Sequence, residues 1–459
     1  MAHLKPKDIN LFIGRIYDQV KKTAGNTAKS GHHTKAPEKN VILFVGAVYG
    51  HMIDAVKKYS REHKKKFRIG LIHDSKAKLD KYTESHLEKL DLVIACDLKS
   101  DSALQNALDP YQEDILVVTC RPETFVPALS KIIPHVPYTE APTIQSLAWT
   151  TDKFAMRERI ENHAPHINPK YTIISDDSKQ SLKQVIEKVG FPLIVKPSGM
   201  AASRLVSICY HQEELEEVLK NIFKKLDATH KDTGGTWESQ VLVEQFMEGN
   251  MYSLDAYVSP KGKMFFCPVV HVKTGRAIGF DDFFGYSQMT PAKLQKESIE
   301  AAEAAAAIAI RAMALRSTTV HVEFIRMEDG WKIIEMGPRA GGFRHMMYQY
   351  SHGINHTMND VLVRIGKKPI IPKKQKGWSV AMKFFAKTEG KMKALNGMKK
   401  AQELKSFKVM YVHKKVGDMC KYAKNGGSSV FDIIMFHKER SELLADIRRL
   451  EKMIEIEIE

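Results

Sequence analysis

Two glutamates, Glu323 and Glu335, sit in strand-like sequence on either side of an Asp-Gly turn in VEFIRMEDGWKIIEMGPRAGG, residues 322 to 342. A hairpin centred on Asp329 places 323 opposite 335, so both carboxylates fall on one sheet face with Cα atoms about 4.5 to 5.5 Å apart. Like charges at that spacing raise each other's pKa unless a cation lies between them. A divalent ion that prefers oxygen, Mg2+ above all, relieves the repulsion when it also holds phosphate oxygens. Two glutamates on the solvated face of an edge hairpin fit the same pattern. The second strand runs into Gly-Pro-Arg-Ala-Gly-Gly. Gly341 and Gly342 let the backbone approach a ligand closely, and Arg339 has the fork that grips a phosphate or an oxyanion, although a structural ion pair would use it equally well.

Upstream, FPLIVKPSGMAASRLVSI reads as an apolar strand ending in Lys196, a turn of small residues and a second strand. A lysine at the end of a buried strand is costly unless its ammonium meets an anion, and Ser198, Gly199, Ala201, Ala202 and Ser203 offer backbone N–H groups to phosphates. A hairpin with a snorkelling lysine is the alternative. Further on, QVLVEQFMEGNMYSLDAYV gives a strand, then Glu244, Gln245, Phe246 and Met247, then another strand. A segment leaving a strand in this way can read an adenine ring through a backbone carbonyl and amide, with Phe246 or Met247 as apolar cover. Lys153, in TTDKFAMRERI, stands at a helix start ahead of all of these.

Periodicity indicates the elements that position these residues. Residues 1–39 form a basic extension with one amphipathic segment, DINLFIGRIYDQVKK, followed by a linker. From Asn40, near-continuous apolar strands (NVILFVGA, FRIGLIH, DLVIACD, DILVVTC) alternate with amphipathic helices, the pattern of a parallel α/β domain over 40–148. That domain carries neither a GxGxxG turn nor a Walker lysine loop. Residues 149–366 mix short strands with helices, including the alanine-rich KESIEAAEAAAAIAIRAMAL, whose small side chains suit close packing on a sheet. Residues 367–459 return to alternating strand and helix patterns. The fold class expected is therefore α/β followed by α+β.

At 459 residues the chain exceeds one hydrophobic core, and 43% hydrophobic with 27% charged residues is a globular composition. Lys and Arg number 70 against 54 Asp and Glu, a net +16. The excess is diffuse, and its densest run, REHKKKFR, ends a helix without interleaved aromatics, so no specific nucleic-acid partner is expected. No apolar run is long enough to span a bilayer and the N-terminus lacks a secretory signal, which points to a cytoplasmic protein with no membrane partner. Cys96, Cys120, Cys209, Cys267 and Cys420 are scattered, with no CxxC pair, and read as core thiols rather than disulfides or a zinc site.

In their order and spacing, TDKFAMR, FPLIVKPSGMAAS, VLVEQFMEG, VHVEF and EMGPRAGG resemble the ATP-grasp superfamily, in particular its carboxylate–amine ligase and biotin-carboxylase-like branch, over about residues 41 to 459. The resemblance implies a pre-ATP-grasp α/β domain at 40–148, an ATP-grasp domain at 149–366 with a mobile lid at about 158–243, and a C-terminal subdomain at 367–459. It implies ATP and Mg2+, or Mn2+, as cofactors. Lys153 and Lys196 would contact the phosphates, the loop Ser198 to Ser203 would close over them, and Glu244 to Met247 would hold adenine. Glu323 and Glu335 would bind the metal. Arg339 would be catalytic, stabilising the transferring phosphoryl group or the tetrahedral intermediate. The activity implied is an ADP-forming, C–N bond-forming ligase that activates a small carboxylate, an amino acid for example, as an acylphosphate for attack by an amine. A homodimer is usual among such proteins.

This chain departs from the family pattern in three places. Gly337 stands where an asparagine often supplies a third metal contact, Met251 where a glutamate often meets the ribose, and the phosphate loop is richer in Ala and Ser than in Gly. Two other activities fit the same motifs: a biotin-carboxylase-like enzyme activating bicarbonate, or a non-catalytic ATP-binding regulator. Candidate substrate residues come from HVKTGRAIGFDDFFGYSQMTP, which holds Lys273, Arg276 and Asp281, and from GGFRHMMYQYSHGIN, which adds Gly341, Gly342, Arg344, His345 and His352. An ordinary surface loop accounts for either stretch as well.

Overall fold

Every side chain of β1 (Val41–Val45) is buried. Alternate residues enter different cores, Val41, Leu43 and Val45 one, Ile42 and Phe44 another, so this strand is covered on both faces. The computed structural model describes residues 39–197, 206–233, 240–280, 285–421 and 429–459. The helical segment expected in the N-terminal extension lies outside these residues, as do Ser198, Gly199, Ala202, Ser203 and Asp281. α1 (Gly50–Glu62) covers one face of β1 with Met52, Ile53 and Val56. With β2 (Arg68–Asp74), β3 (Leu92–Cys96) and β4 (Ile115–Thr119), β1 makes a parallel sheet of order β3-β2-β1-β4. The expected parallel sheet is present.

Asp152 opens α2 (Lys153–His163) as its N-cap, its carboxylate accepting from the amides of Phe154 at 2.8 Å and Ala155 at 3.3 Å. β5 (Tyr171–Ile174), β6 (Leu193–Pro197), β7 (Ser207–Cys209) and β8 (Val241–Gln245) follow as an antiparallel sheet of order β5-β8-β6-β7. It has its own core, including Ile174, Val185, Leu193, Val195, Leu215 and Leu219.

The largest sheet draws on β9 (Asn250–Val258), β10 (Met264–Phe266), β11 (Val270–Thr274), β12 (Gly285–Thr290), β13 (Thr318–Met327), β14 (Gly330–Gly337), β15 (Trp378–Phe384), β17 (Phe407–Val412) and β19 (Phe431–His437). Its order is β14-β13-β9-β11-β12-β15-β19-β17, with β10 added to β9. Strands from both sides of the boundary expected at 366 belong to it, because β15 pairs with β12. β16 (Gly390–Asn396), β18 (Met419–Cys420) and β20 (Glu455–Ile458) form a small separate sheet. The alanine-rich helix α3 (Lys296–Ala312) lays Ala302, Ala305, Ala306 and Ala309 against β9, β13 and β14 in one core.

Beyond β14 come α4 (Arg344–Ser351) and α5 (His356–Arg364). Met358 and Val361 of α5 join the core that holds Ile42 and Phe44, so α5 completes the cover of the parallel sheet. Asn355 Nδ2 donates to the Ala55 carbonyl at 3.0 Å and Thr119 Oγ1 to Asp360 at 2.7 Å, tying the two layers together. All five cysteines are buried. No helix among the described residues is long and apolar enough to cross a membrane.

Candidate active site

β13 and β14 form the expected hairpin, and Glu323 pairs with Glu335. The route to that pairing is not a simple fold about Asp329. Nearest the turn, Met327 pairs with Gly330 and Phe324 with Ile333, a tighter register. Ile334 is then an extra residue, a β-bulge, and the offset it adds brings Glu335 opposite Glu323. Arg157, fully buried on α2, takes both bulge carbonyls: Nη1 donates to Ile333 O at 2.9 Å and Nη2 to Ile334 O at 2.7 Å. Its Nε donates to the carboxylate of Glu244. One side chain thus joins the helix of Lys153, the strand of Glu335 and the strand expected to lead to adenine.

Each hairpin glutamate has a cationic neighbour. Lys153 Nζ donates to Glu335 Oε1 at 2.5 Å, and both side chains remain about two-fifths exposed, at 39% and 41%. Glu323 Oε1 accepts from His321 Nε2 at 3.2 Å, while His321 Nδ1 donates to Asp255 Oδ1 at 2.7 Å. Ionised carboxylates only accept, so a His321 that serves both carries a proton on each nitrogen. Burial opposes that charge, but Asp255 and then Glu323 outweigh it and raise the imidazole above its ordinary range. Burial would likewise raise Glu323, yet His321, with Arg339 and Arg344, holds it below the usual carboxylate value.

At the other end, Lys196 does meet an anion, and the anion is Glu244, which it shares with Arg157. Burial would raise Glu244, but the two cations hold it down at about 2. Burial pushes the Lys196 ammonium down, partly offset by Glu244. The side chain of Glu244 is thus engaged inside the protein. The amides of Gln245 and Phe246 donate to the carbonyls of Lys170 at 2.8 Å and Pro192 at 3.0 Å. Met247 is buried. Arg276, expected at the acceptor site, instead lies over the Phe246 ring at 5.3 Å and donates to Tyr210 Oη at 3.2 Å. The structure brings it to the segment expected to hold adenine. Lys273 is exposed on β11, and Met251 pairs within β9 with Val272 and Ile325.

Arg339 donates through Nε and Nη2 to the carboxylate of Glu123, in the loop after β4. A Cβ at Gly337 would lie 3.4 Å from Arg339 Nε and Cζ and 3.5 Å from Glu123 Oε2. The guanidinium therefore lies across the space that a longer side chain at 337 would need. Among the described residues no group of three or more His, Cys, Asp or Glu is assembled around a metal position. The pair Glu323 and Glu335 fits an ion that takes its other ligands from phosphate and water, as Mg2+ commonly does.

The two loop glycines differ. Gly341 donates its amide to Asp255 Oδ2 at 2.8 Å, and a Cβ there would stand 2.5 Å from His321 Nδ1, so its close approach is to the protein's own histidine. Gly342 is exposed and a Cβ there meets nothing. Asp255 also accepts from His356 Nε2 at 2.7 Å, whose Nδ1 lies 2.5 Å from the Tyr257 hydroxyl. Arg344 is buried, donating to Gln288 Oε1 at 2.6 Å, Ser253 Oγ at 2.7 Å and Gly342 O at 3.0 Å, which makes it a brace for the loop. His352 is buried beside Ser351, away from these groups. His345 stacks on His51 and accepts from Arg121.

Arg157, His321, Asp255, Arg121 and Glu123 escaped the sequence reading. Arg157 had a signal, since it follows Lys153 by one helical turn and shares its face. His321 alternates with Glu323 along one strand face, and Asp255, between Leu254 and Ala256 in β9, stands opposite His321. Arg121 and Glu123 come from a domain that carries no motif.

Residues 189–346 match the family described as the ATP-grasp domain. A Sinorhizobium fredii protein designated y4rH is 26% identical over 295 residues, 63% of this chain and 57% of that protein, so the match spans little more than half of the relative's length. An L-amino acid ligase from Bacillus licheniformis has the same fold, with a TM-score of 0.70 and 16% identity over 92% of this chain and 99% of that one. N5-carboxyaminoimidazole synthetase from Staphylococcus aureus, solved with ADP, gives a TM-score of 0.64 and 14% identity over 92% of this chain and 100% of that one. With these matches, the order of its motifs and the facing pair of glutamates beside two lysines, residues 189–346 carry an ATP-grasp domain.

Proposed function

We propose that this protein is an ATP- and Mg2+-dependent, ADP-forming ligase that activates a small carboxylate as an acylphosphate and transfers the acyl group to an amine. The observation that carries the reading is the register pair Glu323 and Glu335, with Lys153 on one member and Arg339 just beyond the strand. These two carboxylates would hold the metal, which when bound neutralises charge on the phosphate oxygens. A substrate carboxylate oxygen attacks the γ-phosphorus, the bond to the bridging oxygen breaks and ADP leaves. The amine then attacks the acyl carbon, phosphate departs and the nitrogen loses a proton.

The chain's own residues bind and orient. Lys153 and Lys196 exchange their present carboxylate partners for phosphate oxygens. Adenine is read by the Gln245 carbonyl and the Met247 amide, since the amides of Gln245 and Phe246 are engaged elsewhere. Arg339, anchored by Glu123, stabilises charge developing on the acylphosphate and the tetrahedral intermediate. The β5 to β8 sheet serves as the lid. Fold likeness to an L-amino acid ligase supports an amino acid as the activated carboxylate, and likeness to a carboxyaminoimidazole synthetase keeps bicarbonate as the second reading.

The test is an ADP-release screen across amino acids, other small carboxylates and bicarbonate, with and without amines, on wild type and Glu335→Gln. Turnover that needs a carboxylate and an amine together, and is lost in the variant, is expected. Turnover with bicarbonate alone would favour the second reading, and turnover indifferent to Glu335→Gln would remove the metal assignment.

A further inference from the structure

The parallel sheet has order β3-β2-β1-β4, so the chain leaves β1 toward one side and β4 lies on the other. The gap between β1 and β4 is a topological switch point, the place where ligands of open α/β sheets bind, outside the carboxyl ends of the strands. Here the loop after β1 leads into His51 and the loop after β4 carries Arg121 and Glu123. Both meet the Gly341 to His345 segment that follows Arg339.

Among the described residues Arg121 has no carboxylate within hydrogen-bond reach in this crevice, although Asp255 and Asp360 lie close enough to support its charge. Glu123 is engaged by Arg339. Asp360 is held by Arg364, Thr119 and Thr319, and Asp255 by His321, His356 and the Gly341 amide. Arg121 hydrogen bonds to His345 Nδ1 at 2.8 Å and to the Gly341 carbonyl at 3.4 Å, neither of them an anion. Burial pushes this guanidinium down to about 10, which still leaves it charged near neutrality. A cavity beside it is lined by Arg121, Thr119, Cys120, Ala340, His356 and Asp360, whose carboxylate is taken up by Arg364, Thr119 and Thr319.

The bond from Arg121 also fixes a tautomer. A guanidinium only donates, so His345 Nδ1 accepts and the ring proton of the neutral imidazole sits on Nε2. That ring is held neutral by burial, then by Arg121 and the stacked His51. Its Nε2 is buried and has no partner among the described residues. A buried guanidinium whose hydrogen bonds reach only neutral groups, beside an orphaned donor, calls for a ligand rich in acceptors and negatively charged.

We infer that Arg121 seats a carboxylate of the acceptor substrate, with His345 Nε2–H as a second donor, so that the amine is itself an amino acid. The inference rests on the ligase reading. The carboxylate that becomes an acylphosphate gives up its charge in the reaction, whereas a dedicated buried cation matches a charge that persists throughout. Arg339 stays with the reacting group and Arg121 with the spectator.

The experiment is a thermal-shift panel on the full chain with Mg2+ and ADP, using the twenty common amino acids and their carboxamides as probes. At least one free amino acid should raise the melting temperature by about 1 to 2 °C at concentrations near ten times its Kd. Its carboxamide should not, and Arg121→Gln should abolish the shift while keeping the rise caused by ADP, which also shows that the variant is folded. A shift that survives Arg121→Gln, carboxamides that match their acids, or no shift with any amino acid would overturn the assignment. ADP release separates the two claims. Turnover that loses its preference for free amino acids over carboxamides in Arg121→Gln supports the site. Turnover with the preference unchanged removes the site alone. A binding shift that depends on Arg121, with no ADP release on any pairing, keeps the site and removes the ligase reading.

Discussion

The hairpin end of the candidate site and the crevice at the parallel sheet handle charge differently. Around the hairpin carboxylates meet cations directly, Lys153 with Glu335, Lys196 and Arg157 with Glu244, His321 with Glu323. In the crevice Arg121 faces a carbonyl and an imidazole. A region with matched charges suits a ligand that brings both signs, such as a nucleotide with its metal, because each internal pair is exchanged for a new one. A buried cation hydrogen-bonded only to neutral groups suits a simple anion. Under the proposed reaction the two regions take different binding tasks.

The largest effect is expected where the matched end is opened. Arg157→Met leaves both bulge carbonyls and Glu244 short of a donor in a buried setting and should cost about 3 to 5 kcal/mol in urea unfolding. Arg157→Lys should recover only part, since one ammonium cannot reproduce the fork. A loss under about 1 kcal/mol would mean that the bulge holds itself, in contrast to the geometry described.

A smaller effect is expected at the seam between the regions. Gly337→Asn introduces the side chain that the family resemblance implies here but pushes against the guanidinium of Arg339 and its Glu123 anchor. ADP release should fall by about tenfold in kcat, with Gly337→Ala close to wild type. If the asparagine variant is faster than wild type, Arg339 has room to spare and the glycine has another origin.

The smallest effect is a separation in pH. Burial, with Arg121 and His86, lowers His51 from 6.5 to about 3. A depressed histidine contributes stability that is complete above pH 6.5 and is lost as pH falls from 6.5 toward 3, because the unfolded chain takes the proton first. Glu244, lowered from 4.5 to about 2, loses its contribution only below pH 4.5. Between these limits the crevice should weaken while the Glu244 pairs hold. His51→Phe, which keeps the stack and removes the titration, should flatten the fall of melting temperature between pH 6.5 and 5. An unchanged slope would show that other groups govern it.

What could be read in advance depended on how local the cause was. The two-faced burial of β1 follows from its uninterrupted apolar run, and the facing of Glu323 and Glu335 from counting across a turn. The count succeeded although the turn is tighter than assumed, because the bulge at Ile334 restored the offset. Nothing local announces that bulge, since the residue that holds it, Arg157, lies on another element. Lys196 was expected to need an anion, but that the anion is Glu244 depends on the pairing of β6 with β8. Arg276 and Gly341 sit where their loops deliver them, against Phe246 and His321, which their neighbours in sequence do not reveal. The crevice was invisible because loops far apart in the chain assemble it.

The central claim, that Glu323 and Glu335 form a metal-assisted nucleotide site, is tested most directly by calorimetric titration of ADP with and without Mg2+ on wild type and Glu335→Gln. The account predicts that Mg2+ tightens ADP binding to wild type by about tenfold or more, and that the variant still binds ADP but no longer responds to Mg2+. An equal response to Mg2+ in both proteins would contradict it.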